Sequence, residues 1–239
     1  MPLRSVDRPS PNQDTRSGAP IDMLVLHYTG MKTAEEALAR LCDPVAAVSA
    51  HYMIDRDGTV YTLVPETERA WHAGLSYWAG ERNVNARSIG IELVNPGHEF
   101  GYIPFTDDQL SALTELARGI LARHPIPPHR VLGHSDVAPA RKQDPGELFP
   151  WWRLAADGIG SWPTSQMQSS GDFATDLKRF GYGIPPEVDM TLEYVVTAFQ
   201  RHFRPERVDG IADQSTIATL HALLSSLPEN ATPPAVAAK

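Results

Sequence analysis

Short apolar runs punctuated by turn residues fill the first two thirds of the chain, and apolar positions at helical spacing mark its last quarter. The run MLVLHY (23–28), bounded by Pro20 and Gly30, predicts a buried strand. AHYMID (50–55) and TVYTLV (59–64) flank Arg56-Asp57-Gly58, and Asp-Gly between apolar runs predicts a hairpin. SIGIELV (88–94) predicts another strand, and RVLGH (130–134) one more strand end. TAEEALARL (33–41) is built of helix formers, with Thr33 available as N-cap and Glu36 three residues on. Thr106 and Gln109 repeat that spacing ahead of QLSALTELARGILARH, whose apolar residues recur with helical period.

The character changes after Trp162. PTSQMQSSG (163–171) is polar and reads as a linker. DFATDLKRFGY, LEYVVTAFQRHF and DQSTIATLHALLSSL then predict three amphipathic helices, the last starting at Asp213 or Gln214. Three such helices in so short a stretch predict a compact bundle. The expected division is an N-terminal arm laid on the surface (1–20), a main domain (21–162), the linker (163–171), a helical domain (172–227) and a flexible tail (228–239).

Composition narrows what such a chain can do. With 21 Lys+Arg against 29 Asp+Glu the formal net charge is -8, and no basic stripe interrupts it. Nucleic-acid binding draws most of its affinity from phosphate neutralisation, so it is excluded as a leading reading. The single cysteine, Cys42, rules out a disulfide framework and any metal site built from several thiolates. Cys42 itself reads as a small packing residue in a helix. The first twenty residues hold no apolar segment of the signal-peptide kind, and no later stretch approaches a membrane span. Those features lead to the expectation of a cytoplasmic protein without membrane insertion, the alternative being a periplasmic or outer-membrane-associated one whose export segment has been removed. Oligomeric state has no signature in the sequence.

Histidines carry the chemical information. His27, His51 and His134 sit at or near strand ends beside turn residues. Core packing would account for any one of them alone. The loop GHSDVAPARKQDPG (133–146) is different, because it gathers His134, Lys142 and Asp144 among prolines and glycines. A catalytic zinc takes three ligands from His, Asp or Glu and leaves a position for water. An amide hydrolase needs in addition a carboxylate to move the proton of water and a cation or donor for the oxyanion. Glu92 is a candidate for the carboxylate, since an acid within SIGIELV is costly to place unless it faces water from an edge strand. Lys142 is either that cation or a solvated loop residue.

VLHYTG (25–30), SAHYMIDRDGTVYTLV (49–64), AWHAG (70–74), SIGIELVN (88–95) and GHSDVAPARKQDPG (133–146) together resemble the successive motifs of the zinc-type N-acetylmuramoyl-L-alanine amidases. The resemblance covers roughly residues 20–160, and five motifs in order make it specific. It implies an α/β fold, with a mixed central β-sheet flanked by helices and followed by the small three-helix domain. It implies Zn2+ held by His27, His134 and Asp144, with Glu92 as general base and Lys142 stabilising the oxyanion. His51 and the Trp71-His72 pair fall where family members line the substrate groove. The implied partners are peptidoglycan fragments (muropeptides), cut between muramic or anhydro-muramic acid and L-alanine in cell-wall recycling. A lysin or envelope amidase acting on intact sacculi, and a non-catalytic recognition module, are the competing readings. VVTAFQRHFRPERVDGIADQSTIATLHAL (195–223) is similar to peptidoglycan-binding repeats, with Phe199-Gln200 and Asp209-Gly210-Ile211-Ala212 as markers. Such a bundle either binds glycan or only braces its neighbour.

Overall fold

Alternating or wholly apolar runs become strands, and the computed structural model, which describes residues 3–163 and 171–228, contains eight of them among those residues. They are β1 (Ser5–Asp7), β2 (Gln13–Thr15), β3 (Met23–Tyr28), β4 (Tyr52–Ile54), β5 (Val60–Thr62), β6 (Glu68–Ala70), β7 (Ser88–Leu93) and β8 (Val131–Gly133). The helices are α1 (Ala34–Leu41), α2 (Val84–Arg87), α3 (Gly97–Phe100), α4 (Asp107–Arg123), α5 (His134–Val137), α6 (Trp151–Ala156), α7 (Phe173–Phe180), α8 (Leu192–Phe203) and α9 (Gln214–Ser225). Six strands form one sheet in the order β1-β5-β4-β7-β3-β8, and β2 pairs with β6 in a separate ribbon. The β4–β5 pair is antiparallel and the other pairs of the large sheet are parallel, which makes it mixed.

Local chemistry explains the element ends. The β4–β5 hairpin turns through Gly58, whose φ of 79° is the left-handed region that a side chain would resist. Its amide donates to the Asp55 carbonyl at 3.0 Å. Thr106 and Gln109 form a full capping box at the start of α4, and such a cap is worth about 1 kcal/mol. Thr33 caps α1 by accepting from the Glu36 amide, but the Glu36 carboxylate turns to the Lys32 amide, leaving the box half made.

Each sheet face has its own cover. Leu24, Leu26, Ile89, Ile91 and Leu93 pack against α4 and α6 through Leu113, Ile120 and Leu154. Burying a side chain of this size contributes about 1.5–3 kcal/mol. On the opposite face α1 covers Met53, Leu63 and Val94. The rest of that face, including Met23, Val25 and Leu132, packs against Leu177, Phe180, Tyr182, Val195 and Phe199 of the C-terminal helical segment.

Two features differ from the reading of the sequence. Residues 3–20 of the expected arm are extended but woven in: β1 extends the large sheet, β2 pairs with β6, and the Arg16 side chain is buried. That guanidinium donates to the carbonyls of Glu66, Asn85, Ala86 and Ser88, a set of long-range partners that no local pattern announces. The expected helices of 172–227 form, yet they share an apolar core with the sheet instead of standing apart. Asp136 on α5 ties the two together, accepting from the Tyr182 hydroxyl at 2.5 Å and the Gly133 amide at 2.7 Å and pairing with His202 Nδ1 at 2.6 Å. Residues 164–170 of the expected linker and 229–239 of the expected tail lie outside the described residues. The Gln200 side chain accepts from the Asp209 and Gly210 amides and donates to the Ile211 carbonyl, so the two C-terminal markers form one folded unit.

Candidate functional site

Parallel pairing of β3 with β7 sets His27 opposite Glu92, so both side chains leave the same face near the carboxyl ends of their strands. Open α/β sheets bind their ligands at that end. The strand β8 finishes one residue before His134, which opens α5 at the same end. The loop that follows folds back, with the Ser135 amide donating to the Asp144 carbonyl at 2.9 Å, and returns Asp144 beside His134.

Three buried donors converge there. His27 Nδ1 lies 2.9 Å from His134 Nδ1 and 3.0 Å from Asp144 Oδ2, and His134 Nδ1 lies 3.1 Å from the same oxygen. Two imidazole nitrogens and a carboxylate oxygen are a ligand set suited to a divalent ion. Donors placed tetrahedrally about 2.0–2.1 Å from zinc would stand about 3.3 Å apart, a few tenths wider than here. His134 Nε2 faces the Ala73 carbonyl at 3.1 Å. A carbonyl only accepts, so the proton sits on Nε2 and the Nδ1 lone pair is free for a ligand. Burial, with His134 beside it, pushes the His27 pKa down to about 4, which keeps that ring neutral.

Glu92 belongs to the same pocket. Its neighbours on this face of β7 are Ser88 and Gly90, whereas Ile89, Ile91 and Leu93 point into the core. Burial pushes the Glu92 carboxyl well up from its ordinary value, the nearby Asp144 charge adds to this, and Lys142 opposes it. Its Oε2 is sealed from solvent and meets no hydrogen-bond partner among the described residues. Lys142 also lines the cavity, and no hydrogen bond or ion pair engages its ammonium among the described residues. The cavity holds about 330 Å³ and is walled further by Tyr28, Arg40, Leu41 and Trp71.

Of the three residues expected along a substrate groove, Trp71 reaches the pocket wall. His51 does not. It is fully buried, accepting from the Gly90 amide at 2.9 Å through Nδ1 and facing the Glu68 carbonyl at 3.1 Å through Nε2. Burial, reinforced by Arg16, pushes its pKa down to about 3, so it is a neutral scaffold residue. His72 borders the cavity, but both ring nitrogens are taken: Nδ1 by His27 Nε2 at 3.1 Å and Nε2 by Ser88 Oγ at 3.0 Å. Ser88, Gly90 and Arg141 escaped the sequence reading. Arg141 donates to the Ala73 and Leu75 carbonyls and fastens the 141–144 loop to the segment carrying His72. The period-two pattern Ser-x-Gly-x-Glu within an otherwise branched apolar strand was the available signal for Ser88 and Gly90.

Comparison with known proteins finds relatives in both sequence and structure. Residues 17–147 match the family profile described as N-acetylmuramoyl-L-alanine amidase, and residues 172–220 match that of a putative peptidoglycan binding domain. The N-acetylmuramoyl-L-alanine amidase AmiD of Escherichia coli K12 is 40% identical over 232 residues, spanning 85% of this chain and 82% of its own. The 1,6-anhydro-N-acetylmuramyl-L-alanine amidase AmpD of Enterobacter cloacae is 43% identical over 110 residues, 46% of this chain and 57% of its own. The E. coli AmiD structure, in complex with anhydro-N-acetylmuramic acid-L-Ala-D-gamma-Glu-L-Lys, has a TM-score of 0.76 at 40% identity, covering 89% of this chain and 92% of that one. AmpDh3 of Pseudomonas aeruginosa, in complex with an anhydromuramic pentapeptide, has a TM-score of 0.78 at 36% identity, covering 86% and 91%.

Proposed function

This chain belongs to the N-acetylmuramoyl-L-alanine amidase family, and from that premise we propose that it hydrolyses the amide between the lactyl group of anhydro-muramic acid and L-alanine in soluble muropeptides. The observation that carries this reading is the convergence of His27, His134 and Asp144, the last two lining the same pocket as Glu92, whose Oε2 has no hydrogen-bond partner among the described residues. His27, His134 and Asp144 would hold zinc, which supplies Lewis acidity to the scissile carbonyl and to water at the site. Glu92 accepts the proton of the attacking water and hands it to the leaving amine. Its raised proton affinity suits it to both steps. The Lys142 ammonium, free of protein partners among the described residues, faces the charge that develops on the carbonyl oxygen. Arg40 and Lys142 give the pocket a cationic wall suited to an acidic stem peptide.

The C-terminal unit (172–227) is proposed as a peptidoglycan-binding module that also braces the catalytic sheet. Among the described residues no helix is long and apolar enough to cross a membrane. The cytoplasmic setting expected from the sequence forms part of the same proposal, and cell fractionation with an antibody to the chain tests it.

Product analysis by mass spectrometry, with and without chelator, on a soluble anhydro-muropeptide and on purified sacculi in parallel, tests the activity. Release of a stem peptide beginning with L-alanine from the soluble fragment, abolished by chelator, is the expected result. Release mainly from sacculi would transfer the assignment to an envelope hydrolase. Release from neither would leave a binding protein.

A further inference from the structure

His27 has a second ring nitrogen, and its surroundings form a directional chain. His27 Nε2 meets His72 Nδ1 at 3.1 Å, His72 Nε2 meets Ser88 Oγ at 3.0 Å, and the Ser88 hydroxyl donates to the Val84 carbonyl at 2.7 Å. A carbonyl can only accept, so the far end of the chain fixes every proton along it. The one hydroxyl proton of Ser88 goes to Val84, which leaves Ser88 Oγ to accept from His72 Nε2–H. Among the described residues no carboxylate contacts the His72 ring, so the imidazole is neutral and its Nδ1 is bare. That nitrogen accepts from His27 Nε2–H. His27 Nδ1, 2.9 Å from His134 Nδ1 and 3.0 Å from Asp144 Oδ2, is thereby left as a lone pair directed at the ligand cluster.

Backbone features hold this chain in place. The His72 and Ala73 amides both donate to Asn85 Oδ1, at 3.1 and 2.8 Å. The His72 ring lies over β7 at Gly90, where an added Cβ would come within 2.5 Å of the ring. Any residue larger than glycine there would displace His72. The alternation Ser88, Gly90, Glu92 thus gives one strand face a hydroxyl, a space and a carboxylate, each with a separate duty at the site.

We propose that His72 and Ser88 are positioning residues that lock His27 in the tautomer with a bare Nδ1, and thereby set the affinity of the pocket for its metal. The inference rests on the reading of His27 as a ligand. Partners of this kind on metal-ligating histidines are worth about 10–100-fold in metal affinity.

The test measures zinc dissociation constants of the full chain at neutral pH by competition with a chromogenic chelator, alongside melting temperatures of the metal-free proteins. His72→Leu removes both ring nitrogens at similar volume and is expected to weaken zinc about 10–100-fold. His72→Asn restores an amide oxygen near the Nδ1 position and is expected to recover much of that loss, which a purely steric role would not permit. Ser88→Ala, the mildest change, is expected to weaken zinc while leaving the metal-free melting temperature near wild type. It decides the matter should His72→Leu fail to fold. Wild-type zinc affinity in folded His72→Leu or in Ser88→Ala, with affinity lost in His27→Ala, would overturn the relay alone. Unchanged affinity in His27→Ala would overturn the ligand assignment beneath it.

Discussion

Glu92 stands in a run that hydropathy alone reads as buried, yet one of its oxygens is sealed from solvent without a donor among the described residues to satisfy it. A buried, unpaired carboxylate is costly, so it persists where function uses it. Replacing it by glutamine keeps the volume and removes the base. Glu92→Gln is expected to retain zinc and lose about 10²–10⁴-fold in turnover, checked by kcat against metal content from elemental analysis. Asp144→Ala should behave in the opposite order, losing metal first and activity as a consequence. Near-normal turnover in Glu92→Gln would remove this residue from the mechanism. His51 makes the complementary point: it looks equally chemical in the sequence, but its ring is used to hold the Gly90 amide.

At the scale of elements, the ends of strands and helices are held together by charge as well as by apolar contact. Glu66, just after β5, accepts from Tyr52 on β4 at 2.7 Å and pairs with Arg123 and His124 at the end of α4. Burial alone would raise its carboxyl, but Arg123, His124 and Tyr52 outweigh burial and hold it down to about 2, against an ordinary 4.5. The folded state therefore prefers the charged form more than the unfolded state does. Its contribution is complete above about 4.5 and drains away as pH falls toward about 2. Glu66→Gln is expected to lower the melting temperature at neutral pH and to flatten its decline below pH 4.5. Calorimetry over a pH series checks this, and parallel curves for the two proteins would take Glu66 out of the acid response.

For the whole molecule, the shared core of sheet and C-terminal helices decides what can be removed. Met23, Val25, Leu132 and Val137 lie under α7, α8 and α9 side chains, and Asp136 is satisfied from Tyr182 and His202. Exposing four such side chains at about 1.5–3 kcal/mol each is comparable with the whole net stability of a domain, about 5–15 kcal/mol. A chain ending at residue 162 is expected to melt far below the full chain or to be insoluble, as differential scanning fluorimetry would report. An unchanged melting temperature would mean the two parts are thermodynamically independent. The proposed metal would act at the same scale, because the donors of the site come from β3, α5 and the loop after it. Ligand binding to the native state alone stabilises it, so chelation is expected to lower the melting temperature of the full chain. No change after verified metal removal would contradict that coupling.

The strands β3 and β7, the hairpin at Gly58, the α4 capping box and the three C-terminal helices were determined by the sequence, because each depends on residues only a few positions apart. The motifs carrying His27, Glu92, His134, Lys142 and Asp144 were legible for the same reason, and their order along the chain identified the family. Tertiary structure alone decided that β1 and β2 join sheets, that Arg16 is buried, that His51 leaves the groove for the scaffold and that His72 faces a histidine. It also decided that the C-terminal helices complete the sheet's second face. Those outcomes depend on partners tens of residues away and on strand register. A local pattern records which residues prefer to be buried, but not which surface buries them or which nitrogen of a ring meets its neighbour.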